Sequence, residues 1–148
     1  MKKTSVPLVI AFTPDYFIPA ATCLYSIITS MQAEGELHVI CLLSEELPER
    51  LKLKIQLIGE GRTCYSFVNL QGKLQHIYID QKYTEAASYR LLLPDLLPEY
   101  KKVIYIDCDI IVRNDLVQLY HSIDLGMNYL AAVFEASMDF QLDHLKTI

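Results

Sequence analysis

The chain has 148 residues, enough for one domain whose core needs no disulfide or metal to stabilise it. Hydrophobic residues make up 52% of the chain and charged residues 21%, a composition that excludes a disordered tail or a charged linker. Thirteen Lys and Arg residues against eighteen Asp and Glu residues give a net charge of −5. Since the sequence has no basic stripe, we expect no nucleic-acid partner.

Apolar runs and amphipathic segments alternate from the start of the chain. Residues 6–12 are a continuous apolar run, which predicts a strand buried on both faces, and residues 37–43 predict a second buried strand. Between them, residues 17–31 predict a helix. Its expected apolar face consists of Ile18, Ala21, Leu24, Tyr25 and Ile28. A second helix is predicted after Pro48, and residues 63–70 predict a third strand.

The second half of the chain continues this alternation. An extended segment is predicted over residues 74–79, and a helix that Pro94 can divide in two over residues 85–97. The remaining predictions are a buried strand over 103–106, a short extended segment over 110–112, a helix of one or two turns over 115–120 and a strand over 129–134. This order favours an α/β fold with a mostly parallel sheet and helices on both faces.

Asp107 and Asp109 stand directly after the fourth predicted strand. In open parallel sheets, ligands bind beyond the carboxyl ends of the strands. Side chains at i and i+2 of an extended backbone point to the same side, so both carboxylates could meet one object. Adjacent carboxylates repel each other unless a proton or a cation lies between them, and a hard divalent ion is the natural bridge. The pair predicts a metal–diphosphate site, and a solvated turn with two aspartates is the alternative.

Three further side chains are candidates for ligand contacts. Arg90 stands among apolar residues and needs an anionic partner, either phosphate or a metal-site carboxylate, unless it extends from a helix surface into solvent. Ser88 can donate a hydrogen bond to a ligand or to the local backbone. Tyr16 follows the turn after the first strand, so its ring could stack on a base or pack at the helix start. In the stacked arrangement, Thr13 or Asp15 would accept a base N–H.

Together these segments resemble the retaining glycosyltransferases of family 8. The similarity lies in residues 7–11 with Tyr16, in residues 88–94 with Leu97-Pro98, and in residues 102–112, which look like the DxD strand of that family. The resemblance implies the GT-A fold, a Rossmann-like sheet that this chain leaves incomplete at its C-terminus. It also implies metal-dependent transfer of a hexose from a UDP-sugar to a glycan or lipopolysaccharide acceptor, with retention.

The resemblance implies a role for each matching residue. Asp107 and Asp109 would ligate Mn²⁺ or Mg²⁺, and Cys108 would lie against the ribose. Arg90 would face the donor diphosphate or sugar, and Tyr16 would stack on uracil. The implied nucleotide-sugar contacts are Ala11, Thr13, Tyr16, Ser88, Arg90, Asp107, Cys108 and Asp109.

Two departures from the family pattern limit what is expected of this chain. Thr13 stands where the family usually has an acidic residue for the uracil N–H, and a hydroxyl accepts that bond less strongly. The later family motifs are absent, and His144 does not match the family's metal-binding histidine segment. We therefore expect residues 1–148 to form one nucleotide-sugar-binding portion of a GT-A domain whose catalytic residues lie elsewhere. The expected donor is UDP-glucose or UDP-galactose, and the expected acceptor is a glycan or a lipid-linked sugar.

Two other functions stay open from the residues alone. In a phosphatase of the haloacid dehalogenase type, Asp107 would attack phosphate and Asp109 would act as acid and base. Such a strand normally opens its domain, and too few residues follow Asp109 for the lysine and second acidic pair. In a non-catalytic domain, an exposed apolar face would bind a partner or a second copy of the chain.

The cysteines and the apolar runs bear on the cellular location. The four cysteines form no CxxC pair and no zinc-like spacing with histidine, so we expect free thiols in a reducing compartment. No apolar stretch is long enough to cross a bilayer, and the first residues do not form a signal peptide. These observations predict a cytoplasmic protein, for which peripheral attachment to an inner membrane stays open.

Overall fold

The computed structural model describes residues 5–32, 34–74 and 85–132, which form a parallel sheet covered by helices. The strands are β1 (Val6–Phe12), β2 (Leu37–Leu43), β3 (Thr63–Asn69) and β4 (Ile104–Asp107). The helices are α1 (Phe17–Ser30), α2 (Glu49–Gln56), α3 (Glu85–Ser88), α4 (Leu93–Leu96) and α5 (Leu116–Ser122). The sheet order is β3-β2-β1-β4 and every pairing is parallel, so the predicted α/β class is confirmed.

β1 lies between β2 and β4, and all seven of its residues are buried. Leu8 and Ile10 belong to the core that α1, α2 and α5 cover. Val9 and Ala11 face the opposite side, where α3 and the buried Tyr89 cover the sheet. Helices on both faces explain why this strand is a continuous apolar run without polar alternation.

α1 packs on the sheet through a face that differs from the predicted one. The buried residues of the helix are Ala20, Cys23, Leu24, Ser26 and Ile27. Ile18 and Tyr25, which the prediction placed in the core, are 68% and 64% exposed. Leu24 is the one residue of the predicted face that is buried, because the helix contacts the sheet through a face that also includes the small side chains of Ala20, Cys23 and Ser26.

The helix predicted over residues 85–97 is broken into α3, a 3-10 turn at Tyr89–Leu92 and α4. Tyr89 is fully buried, and its hydroxyl donates to the carbonyl of Leu70 at 3.3 Å. Pro94 lies in the first turn of α4, where a missing N–H costs no hydrogen bond. The predicted division of this helix therefore occurs, and the 3-10 turn separates α3 from α4.

The chain after Asp107 differs from the sequence prediction. Residues 110–112 do not form a strand, although the helix predicted at 115–120 is present as α5. In the strand predicted over 129–134, residues 129–132 are irregular, and residues 133 and 134 lie outside the described part of the chain. Met127, Tyr129 and Leu130 are strongly exposed. A strand needs a neighbouring strand for its hydrogen bonds, and residues 129–132 have none in the described sheet.

One predicted segment lies largely outside the described residues. Leu74 begins the predicted extended segment but lies in a turn, and residues 75–79 are outside the described residues.

Among the described residues, no helix has both the length and the apolar character that crossing a membrane requires. All four cysteines are free thiols, as predicted.

Candidate functional site

The carboxyl ends of β1 and β4 lie side by side, and candidate residues follow both. Ala11 of β1 is the register partner of Asp107, the last residue of β4. The turn that starts at Thr13 and the turn that contains Asp109 therefore leave the sheet at one edge. This is the edge where open parallel sheets bind ligands.

We call residues 107–109 the acidic turn. Asp107 ends β4, and Cys108 and Asp109 lie in a turn. Both aspartates are exposed, whereas Cys108 is half-buried. Because the extended backbone ends at Asp107, the i, i+2 argument does not describe how Asp109 is oriented. Burial raises the pKa of the Cys108 thiol, and the neighbouring Asp109 adds to this, so the thiol is protonated at neutral pH.

Arg90 forms an ion pair with the acidic turn. Its Nη2 donates to Oδ1 of Asp107 at 2.7 Å, and its Nε donates to the carbonyl of Ala87 at 2.8 Å. The guanidinium also lies over the ring of Tyr105, 4.6 Å from the ring centroid. Of the partners predicted for Arg90, a carboxylate at the candidate metal site is the one observed. The two charged side chains are 46% and 56% exposed, so the pair is open to an incoming ligand.

Tyr105, whose ring lies under the Arg90 guanidinium, is a candidate site residue that the sequence analysis did not identify. Ile104 and Ile106 pack with the α1 side of the sheet, while Tyr105 packs on the opposite side, towards α3 and α4. Burial raises the pKa of Tyr105 despite the adjacent Arg90. An aromatic residue in an aliphatic strand, two positions before an acidic pair, is the signal that could have identified it.

The first turn presents Tyr16 at the same edge. Tyr16 ends a 3-10 turn of three residues, and its backbone N–H donates to the Thr13 carbonyl at 2.9 Å. The side chain is 46% exposed, which leaves the ring open for stacking. Thr13 is half-buried and Ala11 is buried. Ser88 is half-buried at the end of α3, and its side chain makes no capping hydrogen bond.

The donor set of the acidic turn fits a divalent ion that a ligand completes. Within the described ranges, no three His, Cys, Asp or Glu side chains form a group that could hold a metal ion. The turn offers two exposed carboxylates, and Oδ1 of Asp107 already accepts from Arg90. Mg²⁺ and similar ions are commonly held by one or two carboxylates plus phosphate oxygens. The turn therefore fits such an ion when phosphate oxygens or waters fill the remaining positions.

Comparison with known proteins identifies relatives over nearly the whole chain. The model of the family described as "Glycosyl transferase family 8" matches residues 7–147. General stress protein A of Bacillus subtilis is 24% identical over 149 aligned positions, which cover 98% of this chain and 52% of that protein. The chain thus spans about half the length of this relative.

Solved structures share the fold. The apo structure of the bifunctional glycosyltransferase WbbM superposes with a TM-score of 0.79 at 25% identity, over 92% of this chain and 24% of that one. The galactosyltransferase LgtC, in complex with donor and acceptor sugar analogues, gives a TM-score of 0.75 at 21% identity, over 95% of this chain and 51% of that one. These matches leave no support for the phosphatase interpretation, whose aspartate strand would open the domain. Here Asp107 ends the fourth strand in chain order.

Proposed function

This chain belongs to glycosyl transferase family 8, and on that premise we propose that it binds the UDP-sugar and the divalent metal ion of a retaining hexosyltransferase. The observation that carries the proposal is the edge at which Asp107 lies beside Ala11 and pairs with Arg90. Because the chain spans about half of its relative General stress protein A, we assign it the donor-binding portion of such an enzyme. Transfer itself is proposed for a polypeptide that also carries the later family motifs.

Asp107 and Asp109 hold the Mn²⁺ or Mg²⁺ ion in this proposal. When bound, the ion acts as a Lewis acid that neutralises negative charge on the departing UDP. Oδ1 of Asp107 accepts from Arg90, so its second oxygen is available to the ion. The diphosphate completes the coordination, in keeping with a turn that supplies two carboxylates.

Arg90 binds the donor diphosphate. Its planar guanidinium can offer two parallel N–H groups to phosphate, which gives both charge and orientation. The contacts with Tyr105 and the Ala87 carbonyl hold it in place before the ligand arrives. A cation fixed in advance stabilises charge that develops on the leaving group without a cost for reorganisation.

Tyr16 and its neighbours bind the nucleoside. Stacking of uracil on the exposed ring of Tyr16 contributes about 1–3 kcal/mol. Thr13 accepts the uracil N–H, and the small side chain of Ala11 leaves room for the base. The protonated thiol of Cys108 lies against the ribose, and Ser88 donates a hydrogen bond to the donor.

The donor is UDP-glucose or UDP-galactose, and the acceptor is a glycan or a lipid-linked sugar. The family resemblance supports a hexose and retention at the anomeric carbon. The complex of the similarly folded LgtC, a galactosyltransferase, with donor and acceptor sugar analogues also supports a hexose donor. The free thiols and the lack of a membrane-spanning helix among the described residues are compatible with a cytoplasmic enzyme.

Isothermal titration of the chain with UDP, with and without Mn²⁺, tests the proposal. We expect binding that Mn²⁺ strengthens and that Asp107→Asn reduces at least about tenfold in the presence of the ion. Asp124→Asn removes the same charge and serves as the matched control. Asp124 follows Ile123, whose carbonyl accepts a hydrogen bond from Lys102 near the start of β4. Heats that do not change with Mn²⁺, or equal affinity of the two variants, would contradict the proposal.

A further inference from the structure

Asp109 lies beyond the hydrogen bonds of the sheet. β4 pairs with β1 only as far as Asp107, opposite Ala11. Residues 108–112 form no strand, and the acidic turn gives way directly to irregular backbone. Sheet pairing therefore fixes one of the two carboxylates and leaves the position of the other to different contacts.

Three side chains of α1 bond this irregular segment or the last residue of β4 directly before it. The backbone N–H of Val112 donates to Oγ of Ser26 at 2.9 Å, and Oγ of Ser30 donates to the carbonyl of Val112 at 2.9 Å. Sγ of Cys23 lies 3.8 Å from the carbonyl oxygen of Asp107, as a weak S–H hydrogen bond. At spacings of three and four, the three residues share one face of the helix. We call them the α1 clamp.

The clamp holds the chain on both sides of Asp109. Cys23 contacts Asp107, two positions before Asp109. Ser26 and Ser30 bond the N–H and the carbonyl of Val112, three positions after Asp109. Ser26 is buried, and its hydroxyl donates to the carbonyl of Cys23 at 2.7 Å, so its oxygen is oriented to accept from Val112. A backbone N–H in such a place needs a partner, because an unpaired one would be costly.

Other hydroxyls of the same helix do not act in this way. Thr22 donates to the carbonyl of Ile18 at 2.9 Å, and Thr29 donates to that of Tyr25 at 3.0 Å. Both are exposed, and these bonds stay within α1. The contrast separates hydroxyls that bond the segment after β4 from hydroxyls that only back-bond their own helix.

We propose that Cys23, Ser26 and Ser30 are positioning residues that orient Asp109 for metal binding through the segment from Asp107 to Val112. The inference rests on the proposed donor-binding function. Groups that orient metal ligands from behind commonly change metal affinity by about 10- to 100-fold when removed. α1, which the sequence presents as a packing helix, then contributes to the metal site without touching the ion.

Ser26→Ala and Ser30→Ala test the clamp, with Thr29→Ala as the matched control. We expect each serine variant to lose about tenfold in UDP affinity with Mn²⁺, while UDP affinity without Mn²⁺ stays at the wild-type value. Amide hydrogen exchange should become faster at Val112 in Ser26→Ala. Ser30→Thr, which keeps the hydroxyl, should retain metal-dependent affinity, and Thr29→Ala should match the wild type in every measurement.

The outcomes separate the clamp from the function on which it rests. If the wild type binds UDP with Mn²⁺ dependence and the serine variants keep that dependence, the clamp is wrong and donor binding stands. A loss of UDP affinity that is equal with and without Mn²⁺ would also overturn it, because that pattern indicates general destabilisation. If the wild type shows no Mn²⁺-dependent binding, the proposed function fails and the clamp fails with it.

Discussion

Arg90 and Asp107 are joined by an ion pair of 2.7 Å between Nη2 and Oδ1, although the two residues were candidates for different ligands. Arg90 was expected to meet phosphate or a metal-site carboxylate, and Asp107 a metal ion. The two side chains neutralise each other's charge. An exposed pair of this kind contributes at most about 1 kcal/mol to stability, so a metal–diphosphate ligand can replace it at little cost.

The first prediction concerns the shape of this cation. Arg90→Lys keeps the charge but loses the planar stacking on Tyr105 and the proposed two-pronged contact with phosphate. We expect UDP affinity in the presence of Mn²⁺ to fall about tenfold, a change of about 1.4 kcal/mol, measured by titration calorimetry. Arg62→Lys, directly before β3 at the other edge of the sheet, is the control and should bind normally. Wild-type affinity of Arg90→Lys would show that only charge matters at this position.

The second prediction separates the base from the phosphates. Tyr16→Ala should weaken UDP binding by about 1–3 kcal/mol, because it removes the stacking surface for uracil. Binding of pyrophosphate with Mn²⁺ should not change, since Tyr16 makes no contact with the acidic turn in the proposed arrangement. Tyr25→Ala removes another exposed tyrosine, on α1, and should affect neither ligand. Equal losses for UDP and pyrophosphate would contradict the stacking role.

The sequence predicted the inner strands well because both of their faces are buried. β1 and β2 have the bounds predicted for them, and His38 of β2 is the one polar residue within the two strands. The position of Asp107 at a strand end followed from the same rule. Strand order, and with it the pairing of Ala11 with Asp107, depends on contacts between distant segments that a local pattern does not contain.

The details of the site were harder to predict for the same reason. Arg90, which pairs with Asp107, lies in a 3-10 turn that begins at the buried Tyr89, where the sequence pattern predicted a helix. The buried face of α1 was predicted wrongly because its small polar residues contribute hydrogen bonds instead of apolar area. Nothing in the local sequence distinguishes Ser26, because the hydrogen bond that it accepts comes from Val112, 86 positions later.

The third prediction concerns the end of α5. Nζ of Lys102 donates to the carbonyls of Tyr120 at 2.5 Å and Ile123 at 2.6 Å, and it lies over the Tyr120 ring. Lys102→Met keeps the length of the side chain but removes these charged donors from the helix C-terminus. We expect the free energy of unfolding to fall by about 1–3 kcal/mol in urea titrations. Lys101→Met changes the exposed neighbouring lysine and should leave stability within about 0.5 kcal/mol.

The fourth prediction concerns acid stability and His38 on β2. Its Nδ1 lies 2.5 Å from the Tyr100 hydroxyl and its Nε2 lies 2.8 Å from Oγ of Ser66. Burial lowers the pKa of His38 below 6.5, although the nearby Glu99 opposes the shift. The unfolded chain therefore takes up a proton at His38 more readily than the folded chain does. The stability that the neutral His38 contributes is complete above pH 6.5 and declines as the pH falls below it.

Urea unfolding at several values between about pH 7.5 and about pH 5.5 measures this effect, as the difference between the wild type and His38→Gln. The wild type should lose stability more steeply on acidification, because the variant has no ring to protonate at this position. His121→Gln removes an exposed histidine and should keep the wild-type slope. Parallel slopes for the wild type and His38→Gln would mean that His38 titrates alike in the folded and unfolded chains. The carboxylates of the acidic turn, which are shared by all three proteins, cancel in this comparison.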